Sequence, residues 1–434
     1  MATNRRAQGQ PDEAAPERAG GSGGKELRGP EAPRSECPPA ETDWSDWRWQ
    51  LRRALTTPEA LAALVPLTDA ERRGLARAAE RGVRVAVTPY YASLVDPAHS
   101  SCPVRIQAIP TAAEFEPVEG DLRDPLGEDV RRPARALVHR YPDRALLLAT
   151  DRCAVYCRHC TRRRLTFTGD GALSREDLDR AVEYLRARPS IRDVIVSGGD
   201  PLVLDDDRLD ALLSAVRTVP HVKVVRVATR APAVLPMRID RRLAALLRRH
   251  APLFVVTHFN HPKECTAEAR AACETLVDAG VPVENQSVLL RGVNSSPRIL
   301  RDLFETLLEW RVRPYYLHQG DLAEGTGHLR TPVEAGIEIL EELRGTTSGL
   351  AIPHLALDLP GGGGKVTLQP DYRLARPAAA GRGAWFRNAR GEPYFYPEPP
   401  ARDCTCPYEA VYYGPRDAGA PGHDPAGGTE EGNA

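Results

Sequence analysis

The stretch Cys153-Ala-Val-Tyr-Cys157-Arg-His-Cys160 places three cysteines within eight residues and runs on into Thr161-Arg162-Arg163-Arg164. It follows directly on the apolar run ALLLAT (145–150), in a chain of 434 residues that holds only nine cysteines. A zinc site, a disulfide knot and an iron–sulfur site are the chemistries such a cluster can serve. Structural zinc sites usually offer two CxxC-like pairs a dozen or more residues apart, whereas this compact CxxxCxxC has no local fourth ligand. Disulfides belong to oxidising compartments. The N-terminal stretch MATNRRAQGQPDEAAPERAGGSGG lacks the apolar core of a secretory signal, so the chain reads as cytosolic and its clustered cysteines as metal or redox ligands. Three thiolates on a four-iron cluster leave one iron open to a substrate or cofactor.

The surrounding chain is 42% hydrophobic and 27% charged, with a formal net charge of -1. That balance describes a soluble globular protein and gives no reason to expect a nucleic-acid or membrane-surface partner. No apolar run approaches the roughly 18 residues of a membrane-spanning helix.

From residue 145 short apolar runs alternate with amphipathic helical stretches. ALLLAT (145–150), DVIVSG (193–198), VKVVRVAT (222–229), PLFVVTH (252–258), PVENQSVLL (282–290) and RPYYLH (313–318) read as six strands of a parallel (βα) repeat. A closed eight-stranded barrel would need two more units, so the count fits an α/β partial (βα)6 barrel, with a doubly wound open sheet as the alternative. In such a barrel the chemistry sits at the C-terminal ends of the strands. The cysteines follow the first strand, SGGD (197–200) ends the second, THFNH (257–261) the fourth and HQGD (318–321) the sixth, so these motifs converge on one mouth.

Residues 1–40 are rich in Gly, Pro, Glu and Arg without periodicity and read as a disordered tail. A helical and loop-rich region follows over 41–140, with helices near 57–65 and 68–81. Trp44, Trp47 and Trp49 read as the packing face of an N-terminal helix. The barrel occupies 141–330, a C-terminal segment 331–412, and a second disordered tail 413–434.

Within the C-terminal segment, Asp358-Leu-Pro-Gly-Gly-Gly-Gly-Lys365 sets a lysine behind four glycines. A phosphate-binding GxxxxGK[ST] loop would need Ser or Thr next, and Val366 stands there. Two readings remain: a flexible surface hairpin, or a lysine made approachable by residues without a Cβ and able to bond covalently to an aldehyde cofactor. Pyridoxal phosphate is the usual aldehyde. Its phosphate needs cationic anchors, which Arg140 and Arg144 of HRYPDR (139–144) can supply.

The cysteine motif after the first strand resembles the radical S-adenosylmethionine (SAM) superfamily, and SGGDPL (197–202) resembles that superfamily's SAM-amine segment. DWSDWRWQ, TPYYASL, AIPTA, HRYPDR, CRHCTRRR, THFNHP, NQSVLLRGVN, RPYYLHQGDL, GHLRTPVEAGIEI and PGGGGK occur together and in order. From about Asp43 to Tyr408 that combination is similar to the lysine 2,3-aminomutase family, which moves an amino acid's α-amino group to C3. The resemblance implies a [4Fe–4S] cluster on Cys153, Cys157 and Cys160, and pyridoxal phosphate on Lys365 with its phosphate on Arg140 and Arg144. It places Ser197, Gly198, Gly199, Asp200, His258 and Gln286 toward SAM, and Arg162 on the substrate carboxylate. Asp321 and Asp358 match the pair that holds a side-chain ammonium. Two carboxylates favour a cationic substrate over glutamate, with lysine preferred and arginine the alternative. The resemblance also implies an electron donor such as flavodoxin or ferredoxin, and a homo-oligomer. Zinc is left out, because Ser296 and Glu409 join Cys404 and Cys406 where the best-known relatives place four cysteines. His318, where many relatives have tyrosine, receives no role. The rival readings are a non-mutase radical SAM enzyme, an accessory supplier of β-lysine for modifying a translation factor, and a non-catalytic iron–sulfur or zinc-binding protein.

Overall fold

The computed structural model describes residues 41–167, 173–376 and 383–397. The expectations for both tails and for Cys404, Cys406 and Glu409 lie outside the described residues. Two compact units divide between Gln369 and Pro370.

The first unit is organised by a nine-stranded sheet whose strands lie side by side in chain order. They are β1 (Leu137–Tyr141), β2 (Arg144–Thr150), β3 (Asp193–Gly198), β4 (Val224–Ala228), β5 (Leu253–Thr257), β6 (Val283–Leu289), β7 (Arg313–Gln319), β8 (His354–Leu359) and β9 (Gly364–Leu368). β2 through β8 are parallel, and β1 and β9 close the two edges antiparallel. This order never turns back, which excludes a doubly wound sheet, whose strand order reverses at a switch point. The sheet curls into a half-barrel.

All six expected parallel strands are present, and β8 adds a seventh. Helices cross over between them, among them Arg175–Arg186, Asp206–Arg217, Arg241–Arg249 and Ala267–Asp278. Each of these four begins at a Ser, Asp or Thr whose side chain accepts a first-turn backbone N–H: Ser174, Asp205, Asp240 and Thr266. Leucines at helical spacing, such as Leu209, Leu212 and Leu213, turn one face inward against fully buried strand residues such as Val194, Val196 and Val225.

The helices Pro58–Ala62 and Asp69–Glu80 stand where the sequence predicts them. Trp47 is buried, with the Arg238 guanidinium 4.6 Å from its ring centroid. The N-terminal aromatic cluster therefore does the packing work expected of it. The second unit contains a small antiparallel sheet of β10 (Arg373–Leu374), β11 (Gly383–Arg387) and β12 (Pro393–Pro397). Among the described residues no helix is long and apolar enough to cross a membrane.

Candidate active site

The concave side of the half-barrel holds a cavity of about 550 Å³, and every site residue predicted from the sequence lines it. The strands explain this convergence. Cys153 follows β2 by a few residues, Ser197–Asp200 ends β3, His258 follows β5, and Asp321 follows β7. Gln286 is the exception to the strand-end expectation, since it lies in the middle of β6 opposite Tyr316. Arg140 comes from β1, and Asp358 and Lys365 from the hairpin of β8 and β9.

The glycines of SGGD hold the cysteine loop against the sheet. Gly198 has φ of 115°, and a Cβ there would fall 2.4 Å from the Thr150 carbonyl oxygen. A Cβ on Gly199 would fall 2.2 Å from the Arg152 carbonyl oxygen. Without side chains the turn closes up, and the Asp200 N–H donates to the Arg152 carbonyl at 2.8 Å. The Asp200 carboxylate accepts from Thr229 Oγ1 at 2.6 Å and from the backbone N–H groups of Arg230 at 2.8 Å and Leu202 at 3.0 Å. Its oxygens are thus engaged inside the protein while the turn lines the cavity.

The arginines around the cysteines each meet an acid from the 114–129 segment, a stretch that reads in sequence only as loop. Arg158 donates to Glu114 through Nε at 2.9 Å and Nη2 at 2.6 Å, and Arg163 Nη2 donates to the same carboxylate. Arg162 forks onto Glu128 at 2.9 Å and 2.8 Å, and Arg164 pairs with Asp124 at 3.0 Å and Asp129 at 2.9 Å. Glu114 is 3% exposed, and among the described residues these two guanidinium groups pair with its charge. Burial pushes its carboxyl up, but Arg158 and Arg163 outweigh burial and hold it below the ordinary value. Glu114→Gln is expected to cost about 3–5 kcal/mol at neutral pH, since it leaves two buried cations short of their partner. A carboxyl lowered on folding contributes stability above its unfolded pKa and loses it as pH falls through the folded value. The thermal-unfolding gap between wild type and variant should therefore be full at pH 7 and shrink below about pH 4.

At the far wall the four-glycine turn makes a tight hairpin, with φ of 66° at Gly361, 85° at Gly362 and 98° at Gly364. Asp358 and Lys365 stand directly opposite each other in its register. The Asp358 carboxylate accepts from Lys365 Nζ and, at 3.1 Å, from Arg140 Nη1. Lys365 Nζ also lies 3.2 Å from His318 Nδ1, and its backbone N–H donates to the Tyr141 hydroxyl at 2.9 Å. Arg144 stacks on Tyr141 at 3.9 Å. Asp321 is enclosed nearby and has no ion pair among the described residues. Burial raises its carboxyl pKa, and the neighbouring Asp358 charge adds to the rise.

Sequence reading missed Arg230 and His159. Arg230 donates to Cys157 Sγ at 2.7 Å, to Gln107 Oε1 at 2.6 Å and to the Glu264 carboxylate at 2.6 Å. Only its place just past the end of β4 could have marked it. His159 stacks on His258 with centroids 5.2 Å apart, and both imidazoles are held far below their usual pKa, first by burial and then by Arg230.

The donor sets suit the groups that the fold implies. Among the described residues no three His, Cys, Asp or Glu side chains gather into a single-ion site. An iron–sulfur cluster, with one thiolate on each of three irons, asks for a wider arrangement. Burial raises the Cys153 thiol, and the like charges of Cys160, Asp200 and Cys157 raise it further, so a cationic metal group is the natural complement to the loop. For a phosphate, Arg140 Nε and Nη2 are buried donors with no hydrogen-bond partner among the described residues. Two such orphans beside an amine suit an anionic aldehyde.

Two family models match the chain: the Radical SAM superfamily over residues 147–303, and Lysine-2,3-aminomutase over 340–414. The L-lysine 2,3-aminomutase of Clostridium subterminale is 49% identical over 337 residues, covering 78% of this chain and 81% of that protein. The chain belongs to the lysine 2,3-aminomutase family. Within the family, the Bacillus subtilis L-lysine 2,3-aminomutase is 46% identical over 83% of this chain and 75% of its own length. A glutamate 2,3-aminomutase of Clostridioides difficile is 42% identical over 77% of this chain and 79% of its own length. Membership brings the radical SAM fold, and with it a [4Fe–4S] cluster and SAM.

Proposed function

We propose that this protein is an isomerase that moves the α-amino group of L-lysine to C3, giving β-lysine. The observation that carries the choice of a cationic amino acid is Asp321, an enclosed carboxyl on the cavity wall with no ion pair among the described residues, close enough to feel the charge of Asp358. An enclosed acid of this kind is matched by a substrate ammonium. A negatively charged side chain would meet two carboxylates instead, which disfavours glutamate.

When bound, the cluster and SAM would supply a carbon-centred radical, and pyridoxal phosphate a conjugated ring to stabilise it. The chain's own residues do the rest. Cys153, Cys157 and Cys160 hold the iron, and Ser197–Asp200, His258 and Gln286 border the SAM side of the cavity. The orphaned Nε and Nη2 of Arg140, with Arg144, bind the phosphate. Lys365, paired with Asp358, would be the attachment point for the aldehyde group. Arg162, already oriented by Glu128, receives the substrate carboxylate, while Asp321 and Asp358 fix the ε-ammonium at the other end. Two charged anchors at opposite ends leave the C2–C3 bond little freedom, and the enclosed walls exclude water from a reactive centre. A one-electron donor of the flavodoxin or ferredoxin type and self-association of the chain complete the reading, in a reducing compartment.

Guanidinium is longer than ammonium and needs room. The space beside Gly320 and Asp321 is only about 10 Å³, the size of one water, so it adds little for arginine. The deciding assay supplies reconstituted enzyme with SAM, pyridoxal phosphate and dithionite under anaerobic conditions, and offers L-lysine or L-arginine. A 3-amino product from lysine, located by NMR, is the expected result. Product from arginine alone keeps the reaction and moves the substrate. 5′-Deoxyadenosine with no amine migration from either overturns the reading.

A further inference from the structure

His318 lines the cavity, touches Lys365 and is left unused by the chemistry above. Its ring is oriented from both sides. The Lys365 ammonium can only donate, so the nitrogen it faces is the acceptor and the hydrogen belongs on Nε2, which lies 3.4 Å from Gln286 Oε1. Nδ1 then has a free lone pair, and it faces Lys365 Nζ at 3.2 Å. Lysine in neutral water is an ammonium without a lone pair, and an ammonium cannot attack an aldehyde. Something at Nζ must accept a proton first. Asp358 also touches Nζ, but it is shared with Arg140, and a proton on it would leave that enclosed guanidinium facing a neutral acid.

We propose that His318 is the proton acceptor that makes Lys365 nucleophilic toward its aldehyde cofactor and returns the proton when that bond is broken. This rests on Lys365 being the residue that bonds pyridoxal phosphate. One proton passes from Nζ to Nδ1. The freed nitrogen pair forms a bond to the aldehyde carbon as the carbonyl π pair moves to oxygen. The carbon–oxygen bond then breaks and the oxygen leaves as water. Both hydrogens of that water originate on Nζ, one of them through His318, and the nitrogen keeps its third. No oxidant or reductant is involved, and the imidazole ends neutral.

The groups around the ring agree with this role. Lys365, itself paired with Asp358, approaches from the β8–β9 hairpin, Arg162 from the cysteine loop, Gln286 from β6, Tyr316 from β7 itself and the neutral His258 from the end of β5. Burial first, then the charges of Lys365 and Arg162, keep the imidazole neutral, with its Nδ1 lone pair unprotonated before the transfer and the proton loosely held after it. As an acid that has just taken a proton, it returns that proton readily.

The test uses the full chain freed of pyridoxal phosphate with hydroxylamine. Attachment of added pyridoxal phosphate is followed by absorbance, and by borohydride trapping with mass analysis of the Lys365 peptide. His318→Gln should slow attachment and release alike, about 100-fold. The equilibrium Kd should move less than about threefold, since a proton carrier lowers the barrier in both directions. In His318→Ala, added imidazole should restore much of the rate, and it should do nothing to wild type. Should the smaller side chain not fold, His318→Gln retains a polar group of similar size and carries the test. Wild-type rates in His318→Gln, or a loss confined to Kd, overturn the proposal. If borohydride fixes no pyridoxyl mass on wild-type Lys365, the reading of that lysine falls, and this proposal with it. If both proteins label at the same rate, only the role of His318 falls.

Discussion

Lys365→Ala is expected to lower aminomutase activity by a factor on the order of 10⁴ to 10⁶, while leaving the iron–sulfur cluster and SAM cleavage in place. The separation follows from position. Lys365 Nζ meets Asp358 and His318, while the cysteine loop is held by Arg230 on Cys157 and by Arg158 and Arg163 on Glu114. Removing the amine takes away the covalent attachment point and one of the two cations on Asp358. It leaves the β8–β9 register, a matter of backbone pairing and glycine turns, intact. The check is threefold. Absorbance of bound pyridoxal phosphate should vanish, iron content should match wild type, and dithionite should still release 5′-deoxyadenosine from SAM. Loss of iron together with the cofactor would mean the substitution had unfolded the edge of the sheet. Retained activity would remove Lys365 from the chemistry.

This separation bears on what the sequence could reveal. Inner strands such as β3 and β5 were legible because their burial from both faces writes a plain apolar run, as in DVIVSG and PLFVVTH. The two edge strands and β8 were not. β1 carries His139 and Arg140, β8 carries Asp358 next to its end, and β9 opens on Gly364 and Lys365. Arg140, Asp358 and Lys365 line the cavity, so function interrupts the very pattern that marks a strand. The cysteines and the glycine–lysine run were readable for the opposite reason, since their spacing has few other uses. Arg230 and Glu114 left no local signal. Arg230 reaches Cys157 across 73 positions of chain, and Glu114 reaches Arg158 across 44. Contacts of that range come from the closing of the half-barrel, and no window of sequence contains them.

Cys157→Ser should abolish both cluster assembly and SAM cleavage while leaving pyridoxal phosphate on Lys365. Serine keeps an acceptor for the Arg230 guanidinium, which donates to Cys157 Sγ at 2.7 Å. Arg230 also retains Glu264, Gln107 and the Tyr91 hydroxyl, so the buried charge is not left alone. The loop is held further by Arg158 and Arg163 on Glu114, neither of which needs the sulfur. Stability should therefore change by less than about 1 kcal/mol, in contrast to the large loss expected from Glu114→Gln. Chemistry fails for a separate reason. An alkoxide is a far poorer partner for a soft iron–sulfur cluster than a thiolate, and two remaining thiolates hold it weakly. After anaerobic reconstitution the variant should hold less than about a tenth of the wild-type iron and release no 5′-deoxyadenosine, with product formation below detection. An iron content equal to wild type with SAM cleavage intact would strike Cys157 from the ligand set. Paired with Lys365→Ala, the result divides the cavity into a radical-generating half and an amine-holding half, each removable without the other, and lysine rearrangement requires both.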